Sequence, residues 1–291
     1  MALLDYVPVG IALPDTTEIT QLEELEPERG FIPLTAFSAA AANPQLIGSH
    51  GSSPMLPFRS PQIHDILDQI DIEGVAADLS AGNTDIQWKL RANRGSRVSA
   101  ASSSHLRGRL TSNAFLCWES FSAAQDQVAE ITCRLKPVWD GTNDPIIFSA
   151  GVTSTITDAV SAVFSLGPVK LNSSTLEGVL AVEWDNGNSY RDIRSDGAQF
   201  DTFGSIDRIS PVLRITTTNK SAMATYGNAG TALSSLTVYL RKRAAGGFSV
   251  ANGTAEHIAF TSSSGMIRAT NPTTIEVAMA SFSFDTTSTI T

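Results

Sequence analysis

The chain has 291 residues, 42% of them hydrophobic and only 17% charged, with a formal net charge of −9. That length suits one large domain or two of ordinary size. The rest of the composition is dominated by Ser, Thr, Gly and Ala, which excludes a wholly disordered chain and favours short strands and turns over long charged helices.

The N-terminus, "MALLDYVPVGIALPD", has no basic leading region and meets Asp5 and Pro8 before an apolar core can form. No secretory signal and no transmembrane helix is expected, so the reading is of a protein made in a cytoplasm. "DTTEITQLEELEPERG" predicts a helix, with Asp15 and Glu18 as a capping box and Ile19, Leu22 and Leu25 on one face. "SPQIHDILDQID" predicts another, with Ser60 as cap, Pro61 in the first turn, and Ile63, Ile66, Leu67 and Ile70 on one face. The apolar stretch between them is broken by Pro33, Pro44, Pro54 and Pro57. Residues 1–74 therefore read as an arm with short helices that lies along another surface. Phe31, Ile32, Leu34, Phe37, Leu56 and Phe58 are its candidate interface residues.

Charge changes sign along the chain. Residues 1–88 hold thirteen acids against Arg29 and Arg59 alone, whereas Lys89, Arg91, Arg94, Arg97, Arg107 and Arg109 gather where there is no acid. Such a cluster suits phosphate contacts. The acidic arm of the same protein is the stronger candidate partner, and nucleic acid the weaker.

From about residue 75 short strands take over, and two segments repeat. Trp88 in "DIQWKL" matches Trp184 in "LAVEWDN", and Arg109, Leu110 and Thr111 match Arg214, Ile215 and Thr216. Phe121 then matches Tyr226, Thr132 and Leu135 match Thr237 and Leu240, and Ile146 and Phe148 match Ile258 and Phe260. The order is kept throughout. The expected fold is therefore all-β, with two tandem β-sandwich or jelly-roll-like domains at 75–171 and 172–291 behind the arm. Strands are predicted near 84–90, 105–112, 114–121, 129–138, 145–151 and 156–166. In the second unit they fall near 179–185, 208–217, 220–226, 234–243, 256–263 and 272–285.

Few motifs carry chemistry. "WDGTNDP" and "WDNGNSYRD" offer clustered oxygen donors for calcium, but Asp-Gly and Asn-Gly turns explain them more simply. His50, His64, His105 and His257 have no triad partner or metal-ligand spacing. Cys117 and Cys133 form neither a disulfide framework nor a zinc site and read as buried small residues. Trp88, Trp118, Trp139 and Trp184 suit a stacking platform less well than a core, because two of them fall at matching repeat positions. No catalytic residue, metal site or cofactor is assigned, and the chain does not read as an enzyme.

Ser/Thr-rich tandem units, a proline-broken arm and no leader form a plan that resembles the virion proteins of tailed phages. Capsid decoration (cement) proteins and small tail or baseplate components are the nearest kinds. The resemblance implies a structural virion protein that forms a homo-oligomer, such as a trimer, and that joins other virion proteins such as a major capsid protein, with no membrane partner. The alternative is a carbohydrate-binding or host-attachment module in which Trp139 or Tyr190 reads a glycan from a loop.

Overall fold

The computed structural model describes residues 4–23, 25, 31–36, 45–51, 54–79, 84–92, 105–111, 113–157, 162–244 and 249–291, with the backbone alone at 4–7, 31–36, 45–51, 88–92 and 203. Strands β1 (Leu4–Ala12), β2 (Glu18–Ile19), β3 (Phe31–Ala36), β4 (Gln45–Gly51) and β5 (Leu56–Ser60) precede helix α1 (Ile63–Leu67). Next come β6 (Ala76–Leu79), β7 (Asp85–Ala92), β8 (His105–Leu110), β9 (Ala114–Ala124), β10 (Glu130–Pro137) and β11 (Ile146–Val152). Strands β12 (Val163–Leu171), β13 (Ser174–Thr175), β14 (Val179–Asp185), β15 (Ser189–Ile193), β16 (Phe203–Arg208) and β17 (Val212–Thr217) lead to helix α2 (Lys220–Tyr226). Last are β18 (Thr231–Leu233), β19 (Leu236–Arg243), β20 (His257–Ser262), β21 (Gly265–Asn271), β22 (Thr274–Met279) and β23 (Ser283–Ser288).

The protein is all-β in class. A nine-stranded antiparallel sheet runs β18-β21-β22-β17-β14-β9-β10-β5, with β6 also paired to β9. One five-stranded sheet runs β13-β12-β19-β20-β23 and another β11-β8-β7-β1-β2, while β15-β16 and β3-β4 are separate hairpins.

Alternation along β9 and β10 sends Leu116, Trp118, Phe121, Ile131, Cys133 and Leu135 into the core. There the aromatic rings of the nine-stranded sheet meet those of β20 and β23. Phe121 stacks on Phe260 with centroids 4.3 Å apart, and Trp118 and Trp184 lie 5.7 and 5.5 Å from the same ring. Each ring is buried to 1% or less, which stabilises the fold by about 3 kcal/mol per ring. Trp184 fills its core place as the sequence predicts. Only the backbone of Trp88 is described.

Several expectations are corrected by this architecture. The predicted helix at Asp15 does not form over the described residues, because the Asp15 carboxylate accepts from the backbone and hydroxyl of Thr17 while Thr16 takes a positive φ of 74°. Residues 18–23 instead run extended, with Thr20 and Gln21 donating to Gln62 Oε1 and Glu23 bridging Arg59 through the backbone. The second helix does form as α1, burying Ile63, Ile66 and Leu67, although its cap position is Gln62.

The leading segment is no external arm at these positions. Ile11, Leu13, Ile19, Leu25, Leu56, Phe58, Ile63 and Leu67 all belong to the main core cluster. Leu56 and Phe58, expected on a neighbour, sit on β5 opposite Leu135 and Cys133 at 0% and 1% exposure. Phe31, Ile32 and Leu34 lie on β3, paired with β4, and Phe37 lies outside the described residues.

The predicted boundary at 171/172 does not divide the sheets. Strand β14 pairs with β9 as well as with β17, and β12 pairs with β19, so both expected units share two sheets and one core. Matched positions also fail to hold matched places. The partner of β9 at 220–226 is helix α2, capped by Asn219 and closed by Gly227, and Phe148 is 51% exposed where Phe260 is fully buried. Weak periodic likeness between strand sequences reflects the common demand of a half-buried strand, and here it carries no common topology.

Candidate functional site

The outer face of β9 and β10 carries Phe115, Cys117 and Glu119 beside Arg134 and Lys136, a pattern that alone predicts a solvated surface. The hairpin β15-β16 covers it. An isolated two-stranded hairpin is marginal in water, and this one is fastened to the sheet by side chains.

Strand β14 ends in "DNGN", predicted as a tight hairpin turn. It is instead a passage between layers. The Asn186 side chain accepts from Trp184 Nε1 at 2.8 Å and donates to the Trp118 carbonyl at 3.0 Å, and Asn188 donates to the same carbonyl at 2.9 Å. Gly187, at φ +57°, has the Ser210 carbonyl 2.7 Å from where a Cβ would stand, so the passage needs glycine.

The hairpin then lays Tyr190 and Asp192 onto the charged face. Tyr190 donates its hydroxyl to Glu119 Oε1 at 2.9 Å, Arg134 reaches the same oxygen at 3.0 Å, and the Arg134 guanidinium lies 5.0 Å above the Tyr190 ring. Lys136 is 1% exposed and its Nζ is in direct contact with Asp192 Oδ1. At the hairpin's far end Trp139 N–H donates to the Asp201 carbonyl, and the Trp139 ring packs edge-on to Phe200 at 6.0 Å.

Burial raises the titration of the acids here. It pushes the Cys117 thiol up to about 12, the Cys133 thiol well above its ordinary value, and the Tyr190 phenol upward, the last reinforced by Cys117 and Glu119. Both thiols and the phenol keep their protons at neutral pH. No thiolate nucleophile is generated.

The predicted basic patch is brought together in part. Arg109 makes two bonds to Asp85, at 2.9 and 3.3 Å, and Arg107 lies 4.0 Å from it. Lys89 and Arg91 stand on β7, where the backbone register sets Arg91 opposite Asp5 of the leading strand. Arg94 and Arg97 lie outside the described residues.

The other predicted motifs have structural partners. Asp140 accepts from Thr142, from Asn143 N–H and from the Asn143 side chain, which holds its carboxyl below the usual range, Asn143 contributing most. His257 accepts from Lys242 N–H at 3.1 Å and its other nitrogen lies 3.0 Å from the Ala251 carbonyl. Among the described residues no cluster of three or more His, Cys, Asp or Glu is placed to hold a metal. A groove of about 680 Å³ lined by Pro211, Ser235, Thr261, Ser262 and Ser283 is rich in hydroxyls, but Thr261 bonds Ser283 and Ser262 bonds the Ser281 carbonyl.

Lys136, Asp192, Glu119 and Arg134 were invisible as a site in the sequence. Single charges at alternating strand positions are the ordinary mark of a wet face, and only the overlying hairpin joins them into one cluster around the buried Lys136. No helix among the described residues is long and apolar enough to cross a membrane. Comparison with protein-family models and with curated proteins finds no match to this chain.

Proposed function

We propose that this chain is an architectural subunit that self-associates within a larger particle, of the kind that reinforces or joins parts of a tailed-phage virion. The carrying observation is the contrast between satisfied charge and exposed apolar surface. The charges of Glu119, Arg134, Lys136 and Asp192 are paired within the fold, while the sheet edge β11 presents Ile147 and Phe148 at 45% and 51% exposure. An edge strand bearing large apolar side chains is a template for strand addition, and natural proteins that keep one soluble generally cover it in an assembly. The partner is a second copy or another virion protein. Strand β1 of the leading segment pairs with β7, and the register sets Asp5 opposite Arg91.

The glycan-reading alternative is weakened at one of its two candidates. Tyr190 has its hydroxyl bonded to Glu119 and one ring face covered by Arg134, which disfavours it as a platform for a sugar. The test is the mass of the full chain in solution, wild type against Ile147→Lys with Phe148→Lys. An oligomer that falls to smaller species in the double variant supports the proposal, and a wild-type monomer at every workable concentration overturns it.

A further inference from the structure

We propose that Lys136 and Asp192 become joined by a side-chain isopeptide bond that fastens the β15-β16 hairpin to the nine-stranded sheet. This inference stands independently of the assembly reading.

The juxtaposition carries it. Lys136 reaches out from β10 beneath the hairpin, at 1% exposure, and its nitrogen meets the Asp192 carboxyl directly. The enclosed Lys136 ammonium loses most of its hydration, so transfer of its proton to the Asp192 carboxylate that it touches, giving a neutral amine beside a neutral acid, becomes accessible. That neutral pair is the reactive one. Groups held in contact in a fixed geometry react as if at effective concentrations of about 10⁵ M or more, which opposes the reverse attack by water.

The surroundings suit the reaction. In register Lys136 lies opposite Phe115, and Asp192 opposite Gly204. A Cβ on Gly204 would stand 2.8 Å from the Phe115 ring and 3.6 Å from Asp192 Oδ1, so glycine lets an aromatic ring close against the hairpin beside the pair. The apolar wall excludes water from the lysine side, while the Asp192 side chain is 35% exposed and gives an exit.

The step balances without an added reagent. The lone pair of neutral Lys136 Nζ attacks Asp192 Cγ, and one N–H proton passes to the hydroxyl of the protonated carboxyl. The C–O bond then breaks, one water leaves through the open side, and a neutral amide remains. No oxidation state changes. The product replaces a buried ammonium and its carboxylate partner by an uncharged bond, and it covalently closes the chain between β10 and β15.

The experiment is intact mass of the denatured, reduced full chain, wild type beside Lys136→Arg and Asp192→Ala, followed by peptide mapping. The expected result is a wild-type mass one water below that of its sequence, a branched peptide linking Lys136 to Asp192, and full sequence mass in both variants. A wild-type mass equal to the sequence overturns the proposal. So does a loss of water that maps elsewhere, such as a cyclised aspartyl peptide without Lys136. Because the wild-type mass decides, poor folding of either variant does not blunt the test.

Discussion

Strands β9 and β10 bury both faces, and the two coverings obey different chemistry. One face meets an aromatic cluster in which Trp118, Phe121, Trp184 and Phe260 pack ring on ring. The other meets a small hairpin through Glu119, Arg134, Tyr190, Lys136 and Asp192. The first is held by area and shape, which need no particular partner atom. The second is held by a few directed contacts, each of which fails if one member is removed. A layer too small to form a core of its own is therefore attached by chemistry rather than by burial.

The contrast can be broken from either side. Trp118→Ala should have the largest effect, about 5 kcal/mol of unfolding free energy, since it empties the centre of the aromatic cluster; denaturant unfolding measures it. Lys136→Met should cost about 4 kcal/mol, the loop-closing contribution of a crosslink spanning this length of chain. The loss should appear as a lower midpoint in urea. Asn186→Ala should cost about 2 kcal/mol, because it leaves the buried Trp184 N–H without its acceptor.

The thiols give a pH signature. Their protonated forms are favoured in the folded state, so above an ordinary thiol value of 9.0 the unfolded chain ionises first. Stability contributed by Cys117 is complete below that value and is lost as pH rises from 9.0 towards about 12. The slope is about 1.4 kcal/mol per pH unit for each buried thiol. Unfolding measured across that range should lose about that one slope in a Cys117→Ala variant and keep the slope of Cys133. The smallest effect, about 1 kcal/mol, is expected for Tyr190→Phe, which keeps the ring beneath Arg134 and removes only the bond to Glu119.

What the sequence disclosed follows the same division. Strands with clean alternation, such as β10 and β14, were legible because a core face leaves a period of two. Helix α1 was legible from its apolar spacing. Strand β1 was not, because Pro8 argues against a strand; it is tolerated where the register slips between Pro8 and Gly10. Strand pairing across the chain, such as β9 with β14, leaves no local mark, so two units were expected where the sheets are shared. The charged cluster was hidden for the same reason. Lys136 in "CRLKPVW" and Asp192 in "SYRDIR" are ordinary surface residues until the hairpin folds over the sheet.

Hydrogen exchange of the intact protein shows whether the hairpin is fixed to the sheet or merely rests on it. The account predicts that paired amides of 189–193 and 203–208 are protected to nearly the level of those in 114–124 and 130–137. Rapid exchange of the hairpin over a protected sheet would contradict it.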